Sequence, residues 1–463
     1  MSFRPNEKQL VLAAILIAIA VQVILLAFFL PYPNVPDVFE RQRVSEFILQ
    51  NGSIPQFDSL IAPNGVNYVY PPLADLILAG VSAATGLAPL IAWKVIAVVL
   101  FAFFLFFCAR FAEKYLPKPE ERALLILFLL FAPLVLRRFV SFVAETVGLA
   151  FYPLLFYLIY RKKFWLAGIC LAIIGYLHFR TFFTALLVLA FFALLSFARK
   201  ENKNGIGALK TIFAGALICG PFYIANYAGI ISLSGFANPF IDESFLTALK
   251  FLGLPLLLFA IIAVPLLRRF RWDSLFAAIT IVPLAMVLLS LGSQNAVAFP
   301  YREAVFLLLP LAILAAFSFS WAFKGLKSKW MKWALALCLL AILAVNFSVP
   351  HSAFLKGDEL AISYIKDAVP KGKLVLSDYS AEYWLEYEGY SVAIGPFMER
   401  LPDAGKRLET VKEFLDGKNG NALKEFRPEC VFFRQAVKGE EFLSEYEKKF
   451  ASGNASVYCL RNA

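Results

Sequence analysis

The sequence predicts a polytopic α-helical membrane protein with a small C-terminal α/β domain, on three observations. The 463 residues are 60% hydrophobic and 17% charged. Their mean hydropathy is +0.71, far above that of water-soluble domains. Apolar runs of helix length recur through residues 1–350, and after His351 the pattern changes to short apolar runs between amphipathic stretches. The charge divides at the same place, with 28 Lys and Arg against 15 Asp and Glu up to His351, and 16 against 18 beyond it. The basic excess thus belongs to membrane loops, where it marks orientation rather than nucleic-acid binding.

The run from Leu10 to Leu30 is long enough to span, and Pro31-Tyr32-Pro33 is a poor cleavage site, so the segment is expected to remain as an anchor. A polar outer loop, 31–89, follows. Further apolar segments lie at about 90–112, 122–136, 146–160, 164–178, 180–198, 209–228, 247–267, 274–291, 303–322 and 331–349, giving about 11 transmembrane helices. The stretch Pro72 to Gly86 is read as a surface or half-buried helix. With it outside the count, 20 Lys and Arg fall on one side of the membrane and 8 on the other; with it inside, the bias reverses. The positive-inside rule therefore places the protein in the cell membrane with its N-terminus cytoplasmic and its C-terminal domain extracytoplasmic. The expected division is a transmembrane domain of 1–350, including the first outer loop, and an α/β domain of 351–463. Within the latter, helices are expected at 358–368, 380–388, 405–417 and 440–450, and strands at 373–377, 391–394, 430–434 and 456–460. Cys430 and Cys459 could pair in an oxidising compartment, and the other four cysteines, in apolar runs, read as small hydrophobes.

In this topology the unusual polar groups gather on the outer side. They are Asp37, Glu40, Arg41, Arg43, Asp58 and Asp75 in the first loop, Arg137, Arg138 and Glu145 in the second, then His178 and Arg180, Asp242 and Glu243, and Arg302 with Glu303. Ionisable groups at membrane depth are costly and mark function. Asp37 opens an amphipathic run and is either a helix cap or a general base toward an acceptor hydroxyl. With Glu145 it could hold Mg²⁺ or Mn²⁺, which prefer oxygen ligands. Glu145 could equally pair with Arg137 or Arg138. Arg302 suits a phosphate clamp or an interfacial anchor. Arg180 and His178 sit in a turn too tight to leave the surface and are placed with the substrate-binding group, although a structural role competes for His178. Asp58 is placed with the substrate-binding group, although a turn-capping role competes. The sequence has no Gly-rich phosphate loop, nucleophile elbow or Cys/His cluster, which argues against a nucleotide-driven pump.

These residues resemble the GT-C superfamily of membrane glycosyltransferases, and among them the archaeal relatives of the oligosaccharyltransferase catalytic subunit. The likeness runs in order through Asp37, Phe39, Arg41, Arg43, the helical Val44–Leu49, Pro55-Gln-Phe-Asp58, Asn64-Gly65 and Pro72-Leu-Ala-Asp75, and then Arg138 through Glu145. The resemblance implies a transferase that uses a polyprenyl-phosphate-linked sugar donor and a glycan, lipid or protein acceptor. It makes Asp37 the catalytic or acceptor-binding acid, Glu145 the second acid, and Arg302 a donor-phosphate contact, helped by Arg138 or Arg180. Three features depart from the family. Val147 stands where a further acid is usual, the Trp-Trp-Asp-Tyr-Gly acceptor motif is reduced to Leu376-Ser-Asp-Tyr-Ser380, and the glutamate motif of the last large outer loop is missing from Gly292 to Pro300. The expectation is therefore transfer of a single sugar. Protein N-glycosylation, a lipid or solute transporter and an inactive relative are the alternatives.

Overall fold

A computed structural model of the chain describes residues 7–61, 64–68, 70–226, 245–270, 272–290, 303–346, 352–395 and 403–461. Helix α1 (Glu7–Ile24) runs into a π-helical turn, Leu25–Phe29. The polar loop holds α2 (Asp37–Asn51), the short ladder β1 (Phe57–Asp58) and β2 (Val66–Asn67), and α3 (Leu73–Thr85). Gly52 closes α2 at φ 66°, a left-handed position that favours glycine, and its N–H bonds the Ile48 carbonyl. At 13 residues α3 is about 20 Å long and too short to cross a membrane.

Next come α4 (Pro89–Ala112), α5 (Pro119–Leu130), α6 (Pro133–Phe139), α7 (Ala144–Tyr160), α8 (Phe164–Leu177), α9 (Phe179–Ala198) and α10 (Asn202–Ala225). They are followed by α11 (Phe245–Leu252), α12 (Leu254–Ala263), α13 (Ser274–Ser290), α14 (Leu308–Gly325) and α15 (Lys329–Asn346). All eleven expected apolar segments fall on helices, but two are divided. Pro133, which has no N–H to continue a helix, separates α5 from α6, and Gly253 at φ 88° separates α11 from α12. Among the described residues, five helices are long and apolar enough to cross a membrane alone. The pair α6 and α7 passes the same test only when taken together, and the two meet at a 116° bend, the geometry of a broken span or a re-entrant loop. The chain is a multi-pass membrane protein.

The described residues form two compact units. The first, 7–29, 93–225 and 245–346, is the helical body. Small residues bring its helices close: a Cβ added to Gly168 of α8 would stand 2.5 Å from that of Ala214 on α10. Its outer surface is apolar, with Phe106, Leu194, Phe213, Leu217 and Leu289 exposed as lipid-facing side chains are.

The second unit takes in 30–92 together with 352–461. The first outer loop and the tail fall together in this one unit. The tail contains α16 (Lys356–Ala368), β3 (Val375–Leu376), α17 (Tyr379–Tyr387), α18 (Ala404–Leu415), α19 (Asn421–Phe426), β4 (Cys430–Phe433), β5 (Tyr446–Ser452) and β6 (Ala455–Leu460). The sheet order is β3-β4-β6-β5, with β3 parallel to β4 and the other pairings antiparallel. Alternation along the strands gives two buried faces. Val375, Cys430, Phe432, Val457 and Cys459 pack with α16 and α17. Leu376, Val431, Phe433 and Tyr458 pack with Leu408, Val411 and Phe414 of α18. Cys430 and Cys459 face each other across β4 and β6 and form a disulfide.

The expected helix at 440–450 is corrected: a short 3₁₀ turn, Glu440–Leu443, is followed by strand β5. Gly453, at φ 59°, and Asn454 form a two-residue hairpin loop between paired Ser452 and Ala455, and pairing with β6 overrides the local helix preference of Glu-Lys-Lys.

Candidate functional site

In the second unit, Pro36 fixes the approach and α2 begins at Asp37. Asp37 is therefore the first helical residue rather than the cap. It is exposed, and a carboxylate there is favoured by the helix dipole. One turn on, Arg41 is buried with Glu40 and Asp75 as ion-pair partners. Its Nη1 lies 2.9 Å from Asp75 Oδ2, the Tyr68 hydroxyl donates to the same oxygen at 2.6 Å, and the guanidinium stacks 4.5 Å over Tyr70. Burial pushes the Asp75 carboxyl above its usual range, and Arg41 and Tyr68 pull it back only in part. The Ser45 hydroxyl donates to the Asp75 carbonyl at 3.1 Å, so α2 and α3 are locked together by polar bonds.

Arg43 is engaged in the same way. It pairs with Asp58 and with Glu386 of α17. Asp58, expected among the substrate-binding residues, is buried, and its Oδ1 also accepts from Leu60 N at 3.1 Å. Its visible contacts hold the loop in shape. Glu386 is buried too; burial drives its carboxyl well above the usual range while Arg43 opposes the shift. The loop is anchored further by Phe39, which stacks on Trp384 at 5.2 Å and sits inside the tail's core. The Tyr387 hydroxyl donates to Glu46 at 2.8 Å, and Val392 N bonds the Leu60 carbonyl at 2.9 Å. Sequence reasoning missed Glu386; its position one turn after Glu382 on an otherwise apolar helix face was the available signal.

In the helical body the break between α6 and α7 carries the second group. Arg138 closes α6, Glu145 opens α7, and Nη1 and Oε2 are 3.0 Å apart. At the bend the Arg138 carbonyl accepts from Ser141 N at 3.2 Å and from the Thr146 and Ser141 hydroxyls at 3.0 Å each. Gln22, buried in α1, donates to the carbonyls of Phe139 at 2.5 Å and Ala97 at 3.1 Å. A bend at membrane depth needs such partners. Gln22 was also missed, although it is a lone amide in an apolar run.

His178 joins α8 to α9 and caps α9: Nδ1 accepts from Thr181 N at 3.3 Å and lies 2.9 Å from Thr181 Oγ1. Arg180 lies 3.7 Å from buried Glu303. Arg302, Asp242 and Glu243 lie outside the described residues. Among the described residues no group of three or more His, Cys, Asp or Glu gathers as a metal set. Glu145 already pairs with Arg138, and Val147, at the place of a further acid, is buried.

The archaeal oligosaccharyltransferase AglB from Archaeoglobus fulgidus, solved with an inhibitory peptide and a dolichol-phosphate, superposes with a TM-score of 0.68, covering 91% of this chain and 69% of its own at 13% identity. ArnT from Cupriavidus metallidurans, bound to undecaprenyl phosphate, gives 0.63 with 97% of both chains covered at 11% identity. The fold is that of the GT-C glycosyltransferases. The mycobacterial arabinofuranosyltransferase AftD is a further GT-C likeness, at 0.57 and 14% identity, covering 96% of this chain and 40% of its own. No protein-family model and no curated protein matches the sequence. At such identities the GT-C likeness is one of fold.

Proposed function

We propose that this protein is a membrane glycosyltransferase that moves one sugar from a polyprenyl-phosphate-linked donor, dolichyl or undecaprenyl in type, to an extracytoplasmic acceptor. The observation that carries the reading is the placement of Asp37, exposed at the start of the helix that the ion pairs of Arg41 with Asp75 and of Arg43 with Asp58 hold rigid. A rigid helix end presenting one carboxylate suits a group that must be positioned to act.

In the proposed reaction Asp37 takes the proton of the acceptor hydroxyl. The acceptor oxygen attacks the anomeric carbon, the bond from that carbon to the phosphate oxygen breaks, and polyprenyl phosphate leaves with the electron pair, inverting the anomeric configuration. Arg138, Arg180 and Arg302 are assigned the donor phosphate, for which guanidinium geometry is suited. Glu145 sets the orientation of Arg138, and His178 that of the Arg180 turn. Two proteins of similar fold were solved with a polyprenyl phosphate bound, which supports the donor class. Protein N-glycosylation is disfavoured by the segment Leu376–Ser380. Here Ser377 donates to the Phe432 carbonyl at 2.7 Å and Asp378 caps α17 through Ser380 N and Ala381 N, so these polar groups serve the tail's own fold.

The test is transfer from radiolabelled polyprenyl-phosphate sugars to membrane glycan, lipid and peptide acceptors, with wild type and Asp37→Asn, each with and without EDTA. Loss of transfer in a folded Asp37→Asn supports the assignment. Equal activity, or no donor consumed, would move the transporter and the inactive relative forward.

A further inference from the structure

The helical body has a cavity of about 260 Å³ that the proposed chemistry does not use. It lies where the basic loops of the chain converge. Lys114, Tyr160, Lys162, Asn204 and Ser274 are in its wall, and a second hollow of about 440 Å³ adjoins it through Lys162, Glu201 and Asn204 and adds Lys200 and Lys203. Two acids are present, and both are engaged. Asp273 pairs with Lys114 and caps α13 through Phe276 N at 2.9 Å, while Glu201 accepts from Asn204 Nδ2 at 3.0 Å.

Three features point to a ligand. Ser274, the first residue of α13, is fully buried, and its hydroxyl has no hydrogen-bond partner among the described residues. It stands at the N-terminus of a 17-residue helix, an end that favours anions. Finally, Lys162 and Lys200 occupy left-handed positions, φ 56° and 62°, at the ends of α7 and α9. Each position is held by a bond back across the last turn, from Lys163 N to the Leu158 carbonyl and from Glu201 N to the Ser196 carbonyl. Glycine is the residue that ordinarily fills such positions. Two separate helix ends thus present a lysine, at a backbone disadvantage, to the same pair of hollows.

We propose that this cavity binds a phosphate-bearing anion, supplied either by an anionic lipid headgroup or by free phosphate. The lysines give the charge, and the buried Ser274 hydroxyl gives a directed donor beside the end that Asp273 caps. The proposal is independent of the transferase reading.

The experiment uses the full chain in nanodiscs of phosphatidylcholine, of phosphatidylcholine with phosphatidylglycerol, and of phosphatidylcholine with inorganic phosphate added. Anion-dependent thermal stabilisation is titrated for wild type, Lys162→Gly, Lys200→Gly, Ser274→Ala and Lys327→Gln, the last an exposed lysine on another basic loop. Either anion should stabilise the wild type, and which one does so identifies the source. Each Lys→Gly change should weaken the apparent affinity roughly tenfold. Stability without anion should hold or rise, because glycine fits the left-handed backbone. Lys327→Gln should have no effect. The proposal is overturned if neither anion stabilises the wild type, if the glycine variants titrate like it, or if Lys327→Gln weakens the response as much as they do.

Discussion

Asp37 and Glu382 show how position in the fold decides what a carboxylate can do. Asp37 is exposed at a helix start, where a charge is well tolerated. Replacing it with Asn keeps the shape and removes the proposed base, so under the proposed reaction transfer should fall by roughly 10²–10⁴-fold with folding unchanged; donor turnover measured beside a thermal melt checks both halves. Glu382 is fully buried, accepting from Ser377 N at 3.1 Å and Ile394 N at 2.5 Å. Burial raises its carboxyl to about 8, against the usual 4.5, with the backbone donors opposing. The folded state therefore keeps a proton that the unfolded chain releases. The favourable contribution is full below the unfolded value and is lost as pH rises toward about 8. Glu386 shifts in the same direction. Urea unfolding followed by tryptophan fluorescence should show falling stability from about pH 5 to about pH 8; a flat or rising profile would contradict this.

Helix α2 is the element on which the second unit turns. Phe39 is buried at 1% exposure in the tail's core, and Arg43 holds Glu386. Phe39→Ala should cost about 3–5 kcal/mol. Glu386→Ala, which leaves half-buried Arg43 paired with Asp58 but without its α17 partner, should cost about 1–3 kcal/mol. Both should expose the 52–65 segment to proteolysis while the helical body stays intact. Much of this element was legible in the sequence: the order Asp37, Arg41, Arg43, Asp58, Asp75 announces a structured loop, and the helix limits follow from Pro36 and Gly52. What could not be read was where the arginines would find their partners, because Glu386 lies more than three hundred residues downstream and hydrophobic periodicity carries no long-range pairing. The strand β5 was misread for a related reason, since its identity comes from β6 and not from its own residues. Helix breaks inside apolar runs were hidden as well: the runs 122–136 and 247–267 stay apolar through Pro133 and Gly253, where the structure divides α5 from α6 and α11 from α12.

At the scale of the whole molecule, the disulfide and the charge pattern make one joint prediction. Disulfides persist in oxidising compartments, and the basic loops are expected on the cytoplasmic side. A membrane-impermeant maleimide should therefore label a cysteine placed at exposed Lys448 in intact cells, and one at Lys203 only after lysis. Reduction of Cys430–Cys459, which closes a separation of 29 residues, should lower the tail's stability by about 3–4 kcal/mol in the chain-entropy account. The docking of α2 on α17 also sets a timetable for biosynthesis. Glu46 and its partner Tyr387 are 341 residues apart. A ribosome adding about 5–20 residues per second needs roughly 20 to 70 s to make the intervening chain. Through that interval the first loop has no tail to fold against, and Phe39 and Arg43 await their contacts with α17. Nascent chains stalled before residue 380 should accordingly carry a protease-sensitive first loop, and a truncated protein lacking the tail should insert in the membrane without ever maturing this segment.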